Sequence, residues 1–137
     1  MPAPDLPAGA TIIPTLRYRD APAAIDWLCR VLGFEAHFVV PGEEDHLIAH
    51  AQLTLGSGMI MLGIAREDDD ASFVQLPPGP DEALTQAAYL VVPEIDTHYA
   101  HSKARGADIV VDLAEQDYGG KLYAFRDPEG QFWNIGS

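Results

Sequence analysis

Donors for chemistry are few in this chain, and they lie among five histidines, one cysteine and the polar residues of its strands. His98 and His101 stand three residues apart, with Glu94 one helical turn before His98, a spacing that turns three donors to one helix face and toward a transition metal. A solvated helix face has the same appearance. His37 falls on an early strand and His46 beside Glu43, Glu44 and Asp45, and both read as strand-edge or loop surface. Neither has an identifiable nucleophile partner, since triads are recognised by geometry rather than spacing. Glycine-rich phosphate loops, HExxH and CxxC are absent. The run Asp68, Asp69, Asp70 lacks the spacing of a calcium loop and reads as solvated linker. What remains is a set of polar residues at alternating positions: His50, Gln52 and Thr54, then Tyr123 and Asn134, with Arg17 and Tyr89 upstream of each group.

Whether these residues can act together depends on the elements that carry them. Pro2, Pro4 and Pro7 make residues 1–10 an irregular extension, and strand character begins at Thr11. Asp20 can cap a helix over 21–32, in which Ile25, Leu28, Cys29 and Leu32 form an apolar stripe, Pro22 sits in the first turn and Gly33 marks the end. Strands are expected over 34–40, 46–55 and 59–64, divided by Pro41 and Gly42 and by Gly56, Ser57 and Gly58. Residues 65–84, with charges from Arg66 to Asp70 and prolines at 77, 78 and 80, read as a linker. The pattern then restarts with a strand over 87–92, a helix over 94–105 stopped by Gly106, and strands over 108–113, 121–126 and 131–135. An offset of about 73 residues lays Gly33 on Gly106, Phe38 on Val111 and Met59 to Leu62 on Phe132 to Ile135. The sequence therefore predicts one α+β domain over 11–137, made of two βαβββ modules at 11–64 and 85–137. Their strands are expected to form a curved mixed sheet around a concave pocket, with the helices on the outer faces.

Strand parity sorts side chains between the helix side and the pocket side. If Gly56 and Ser57 close a short hairpin, Gln52 lies beside Met61, His50 beside Gly63 and Thr54 beside Met59, with Leu53, Leu55, Ile60 and Leu62 on the other face. If Asp127 pairs with Gly130, Tyr123 lies beside Asn134 and Phe125 beside Phe132, with Ala124, Trp133 and Ile135 opposite. The aliphatic faces are the natural seats of the helices. Arg17, His50, Gln52, Met61, Tyr89, Tyr123, Phe125 and Asn134 are then the ligand-binding candidates, the aromatic and thioether groups for contact and the polar ones for orientation. A sheet with one solvated face shows the same alternation, and a one-residue slip in either hairpin swaps the faces. Trp27, Trp133, Tyr18 and Phe34 are core candidates. Tyr118, before Gly119 and Gly120, sits where a loop can close over a ligand or simply turn.

With 137 residues and 47 % apolar content the chain supports one domain with a substantial core. A net charge of -13 repels phosphate backbones and anionic membranes, and attracts cations. Nucleic acid and membrane are therefore not expected partners, whereas a basic small molecule is a natural one. Cys29 is the lone cysteine, so no internal disulfide is possible, and a core position is expected for it. No apolar run approaches the roughly 20 residues that span a bilayer, and the N-terminus lacks the pattern of a secretory signal. A cytoplasmic location is the expectation.

Three segments carry a resemblance. They are Leu16 to Asp20 with Ala24 to Trp27, then Val31 to Glu35, and above all Phe125 to Asn134, which contains Arg126, Asp127, Pro128, Glu129 and Gly130 ahead of an aromatic strand. Together with the repeated element order they resemble the glyoxalase/bleomycin-resistance/extradiol dioxygenase (vicinal oxygen chelate) superfamily over nearly the whole chain from Thr11. The resemblance implies a fold shared by metal-dependent lyases, isomerases and dioxygenases and by metal-free antibiotic-binding proteins, so it fixes no reaction. Superfamily enzymes hold a divalent metal with His, Gln or Glu from the first and last strands of each module. The matching positions here are Ile13 (or Pro14), Met61, Ala87 and Asn134, a poor donor set, so no metal site and no cofactor are expected. Arg17 matches a position that holds an anionic substrate group in glyoxalase-type relatives. The resemblance also implies a homodimer. The leading expectation is a metal-independent binder of a small molecule, cationic or aromatic and antibiotic-like. The alternatives are a divalent-metal-dependent glyoxalase-like lyase or isomerase, and a non-catalytic dimeric interaction module.

Overall fold

Helix starts and stops are chemically marked in both halves of the chain. In the computed structural model, which describes residues 10–42, 48–64, 76, 79 and 82–137, the Asp20 carboxylate accepts a hydrogen bond from the Ala23 amide at 3.1 Å. That cap opens helix α1 (Ala21–Trp27), with Pro22 in its first turn, where a missing N–H costs nothing. The helix widens into a π-helical turn over Leu28–Leu32 and ends at Gly33, whose φ of 89° is open to glycine and strained for other residues. Its buried side is Ala21, Ala24, Leu28, Val31 and Leu32. Cys29, expected in the core, is only half-buried at the edge of this stripe, beside Asp26; desolvation, then that carboxylate, push its thiol pKa up.

The chain divides into two compact units, one ending at Leu76 and the other beginning at Pro77. In the first, strands β1 (Thr15–Tyr18), β2 (Glu35–Pro41), β3 (Ile48–Leu55) and β4 (Gly58–Ile64) form a sheet of order β1-β4-β3-β2. β1 runs parallel to β4, and the other pairs are antiparallel. The strand begins at Thr15 rather than Thr11, because Ile12 stands 86 % exposed and pairing with β4 starts at Thr15. Ala51, Leu53, Ile60 and Leu62 are buried on one face, the seat of α1, which packs against β1, β3 and β4.

The second unit repeats the plan. Strands β5 (Ala88–Val91), β6 (Asp108–Glu115), β7 (Lys121–Arg126) and β8 (Phe132–Gly136) form a sheet of order β5-β8-β7-β6, with helix α2 (Ile95–Ala104) against β6 and β7. The helix closes on Gly106 at φ 88°, where Gly106 N–H bonds to Lys103 O and Ala107 N–H to Ser102 O, the two bonds of a Schellman motif. The predicted two βαβββ modules are thus both present. The internal repeat extends to irregularities, since a register shift separates Ala36 from Phe38 in β2 and Ile109 from Val111 in β6. His46, Glu43 to Asp45, Asp68 to Asp70 and most of the expected linker lie outside the described residues.

One hairpin departs from expectation. Gly56 and Ser57 do form the two-residue turn between β3 and β4, with Thr54 opposite Met59 and Gln52 opposite Met61. In the second unit, however, Asp127 pairs with Gln131 rather than Gly130: Asp127 N–H bonds to Gln131 O and Gly130 N–H to Asp127 O, both at 2.9 Å. The loop is therefore three residues, Pro128 to Gly130, with Gly130 at φ 98°, a common hairpin closure. Asp127, only 5 % exposed, holds it in place. Its Oδ1 accepts from the Glu129 and Gln131 amides at 3.0 Å, and its Oδ2 accepts from Trp133 Nε1 at 3.1 Å.

The extra residue shifts the register by one, so Tyr123 faces Ile135 and Phe125 faces Trp133. All four are wholly buried. Replacing Asp127 by Ala would remove the carboxylate bonds to a buried indole N–H and two turn amides, and should lower unfolding free energy by about 3 kcal/mol in a urea titration. Glu129→Ala on the same loop, which spares the Asp127 side chain, should cost well under half of that.

Candidate functional site

On the first sheet, the face opposite α1 gathers four of the sequence candidates. Register places Met61 beside Gln52 on β3 and beside Thr15 on β1, with Arg17 beside Gly63. Gly63 matters for its missing side chain: a β-carbon there would lie 3.1 Å from the Ala49 carbonyl and 3.5 Å from Arg17 Nη1, so the guanidinium reaches close to the strand backbone. His50 Nε2 lies 3.0 Å from Gln52 Oε1, and Gln52 Nε2 donates to Met59 Sδ at 3.3 Å. Gln52 and Met59 are each 3 % exposed, so this part of the face is not the solvated sheet surface that alternation alone would also allow. Met59 was missing from the sequence candidates. Its parity with Met61 was the available signal.

On the second sheet the candidates separate. Tyr89 pairs in register with Asn134, on the face opposite α2. Its hydroxyl and ring occupy the space where a Gly136 β-carbon would lie. Desolvation, followed by the charge and hydrogen bond of Tyr118, raises the Tyr89 pKa. Tyr118 itself is 74 % exposed, so the loop tyrosine singled out from sequence meets Tyr89 at this surface. Asn134 Nδ2 reaches back to Ala88 O at 3.5 Å.

Tyr123 and Phe125, expected on that same face, lie instead on the helix side, because the three-residue loop turned β7 over relative to β8. The Tyr123 hydroxyl donates to Ser102 Oγ at 3.0 Å and lies 2.6 Å from His98 Nδ1, both on α2. Tyr123 stacks on Phe125 at 5.7 Å between centroids and meets Tyr99 edge-on at 5.0 Å. These rings join helix to sheet rather than lining a binding face. The same contact separates the two helix histidines, since His98 turns to Tyr123 while the exposed His101 accepts from Arg105 Nε at 2.9 Å. Among the described residues no three His, Cys, Asp or Glu side chains approach one another closely enough to hold a metal.

With both modules and their faces defined, comparison with known proteins becomes informative. The family model of the Glyoxalase/Bleomycin resistance protein/Dioxygenase superfamily matches residues 12–135. The chain belongs to this superfamily. TioX from Micromonospora sp. ML1 is 31 % identical in sequence, with a TM-score of 0.71 over 93 % of this chain and 98 % of that one. An uncharacterised protein of Mycobacterium bovis is 27 % identical over 127 residues, which is 90 % of this chain and 80 % of that protein. A lactoylglutathione lyase from Agrobacterium tumefaciens, 18 % identical, shares the fold with a TM-score of 0.65, covering 95 % of this chain and 94 % of its own.

Superfamily membership raises the question of a divalent metal. The four positions that match the superfamily ligands hold an aliphatic group, a thioether, a methyl and a carboxamide, at Ile13, Met61, Ala87 and Asn134. Their register partners, Thr15 and Gln52 for Met61 and Tyr89 for Asn134, add a hydroxyl, a carboxamide already bonded to His50 and Met59, and a phenol, but no imidazole or carboxylate. Zinc, nickel, manganese or ferrous iron would find one weak oxygen donor at the four matching positions and only neutral oxygens beside them, so the residues do not fit the metal. No helix among the described residues is long and apolar enough to cross a membrane.

The buried phenol makes a separate prediction. Tyr123→Phe removes the hydroxyl that bonds Ser102 and His98 and should cost about 1–3 kcal/mol of stability. Burial pushes the Tyr123 pKa from 10.0 up to about 12, so the unfolded chain loses this proton first. The stabilisation is complete below pH 10 and declines as pH rises toward about 12. Denaturation of wild type and Tyr123→Phe across that range should show the gap between them narrowing with pH.

Proposed function

We propose that the protein is a metal-independent small-molecule binder of the bleomycin-resistance type, taking a flat aromatic compound, cationic overall, against the face of the first sheet opposite α1. The donor set at Ile13, Met61, Ala87 and Asn134 carries this reading, because it replaces metal-binding chemistry with groups suited to apolar contact and neutral hydrogen bonding. On the first sheet the contact groups are Met61 and Arg17, beside His50 and the buried Gln52. The second sheet, taken by itself, carries Tyr89 and Asn134 on its own face opposite α2. The net charge of -13 favours a ligand of positive overall charge by raising its local concentration. A thioether is a polarizable partner for an aromatic ring, which supports aromatic character at Met61.

Two measurements test the proposal together. Elemental mass spectrometry after incubation with nickel, zinc, manganese and ferrous iron, followed by desalting, should find no stoichiometric retention. A thermal-shift screen of cationic aromatic compounds should find ligands that raise Tm, since a compound at a hundred times its Kd stabilises by about 2.7 kcal/mol. For such a ligand, Met61→Ala should weaken binding by roughly tenfold through loss of apolar contact. Stoichiometric metal accompanied by lyase turnover would overturn the proposal.

A further inference from the structure

Resting on that reading, we propose that Gln52 fixes a hydrogen on His50 Nε2, so that in the uncharged ring His50 Nδ1 accepts a hydrogen bond from a neutral N–H or O–H borne by the aromatic ligand. The assignment follows from donor and acceptor accounting. A thioether sulfur has lone pairs and no hydrogen, so the Gln52 atom 3.3 Å from Met59 Sδ is the amide nitrogen, as a donor. Turned the other way, the amide oxygen would set its lone pairs against those of the sulfur. Gln52 Oε1 therefore points at His50, and the bond at 3.0 Å is made by a hydrogen on His50 Nε2. A neutral imidazole protonated on Nε2 carries a lone pair on Nδ1. Gln52 is 3 % exposed, and both ends of its amide are engaged, so the orientation is fixed by packing rather than averaged by water.

The surroundings of His50 define the chemistry of its partner. Continuing the Ala51–Leu62 register by one residue sets Gly63 beside His50, so the neighbouring strand offers no side chain to cover the ring on that side. Beyond Gly63 lies Arg17, in register on β1, with its guanidinium drawn in over the glycine. A second cation placed between them would be repelled by that guanidinium, so an ammonium is a poor donor to Nδ1, and a phenol, indole or amide is a good one. Met61, half-buried and one pleat along the same face, offers apolar contact for the ring that carries the donor. Positive charge on the ligand, where present, must then sit away from this point. Gln52 is a positioning residue in this scheme, acting through His50 rather than on the ligand.

Nitrogen NMR of uniformly labelled protein reads the tautomer without any ligand, and should show a protonated Nε2 and a pyridine-like Nδ1 for His50. Gln52→Leu, close in volume, should return the ring to a mixture of tautomers. A matched probe pair, β-naphthol and its methyl ether, reads the acceptor: β-naphthol should bind roughly two- to tenfold tighter, the range of one net hydrogen bond, and His50→Phe should erase the difference. Read at a pH where the ring is uncharged, a hydrogen on Nδ1 instead of Nε2 in the wild-type protein would overturn the inference. Equal binding of naphthol and ether would also overturn it, while leaving the small-molecule reading intact. Failure of both probes to bind would remove aromatic binding at this face, and the inference with it.

Discussion

The carboxylate of Asp127 ties the last hairpin to the indole of Trp133, and through that tie it decides which side chains of the second sheet meet the helix. With Oδ1 on two loop amides and Oδ2 on the indole, the three-residue loop is held closed at Gln131. Strand side chains alternate with a period of two, so this closure sends Tyr123 and Phe125 inward with Trp133 and Ile135. All four are wholly buried, and Trp133, Tyr123 and Phe125 are among the largest side chains so enclosed. The first hairpin, closed by two residues, has no such anchor and needs none, because Leu53 and Ile60 are already in register for the core.

Each sheet carries a chain of side-chain hydrogen bonds, on the helix side in the second unit and on the face away from the helix in the first. His98, Tyr123 and Ser102 form a cluster against α2 that binds helix to sheet. His50, Gln52 and Met59 form a line on the face away from α1. Buried polar groups are costly unless paired, so both arrangements restrict the side chains to one geometry. They differ in what is left over. Tyr123 is enclosed by helix, aromatic rings and sheet, whereas the line on the first sheet ends at a half-buried imidazole beside a glycine.

Membership of the superfamily describes a scaffold on which several chemistries are built, so the donor set carries the functional argument. Here the positions that superfamily enzymes use for metal ligands hold Ile13, Met61, Ala87 and Asn134, while hydrogen-bonding capacity lies one register step away, at Gln52 on the strand beside Met61 and at Tyr89 beside Asn134. An apolar contact surface with a few fixed polar groups is the usual composition of a small-molecule site.

Element order and the repeat were legible because they follow from local rules: Asp20 caps, Gly33 and Gly106 stop helices, and alternation marks strands. So was the face carrying His50, Gln52 and Met61, since a two-residue turn at Gly56 and Ser57 fixes its own register. The loop after Arg126 was harder to read, because Asp127, Pro128, Glu129 and Gly130 suit a two-residue or a three-residue closure equally well by local preference. Only the tertiary structure chose between them, through the bond from Trp133 Nε1 to Asp127 Oδ2, made across six residues once the strands pair. The same holds for the His50 tautomer. Sequence supplied an imidazole, an amide and a thioether at alternating positions, but the order in which they donate and accept exists only when β3 and β4 lie side by side.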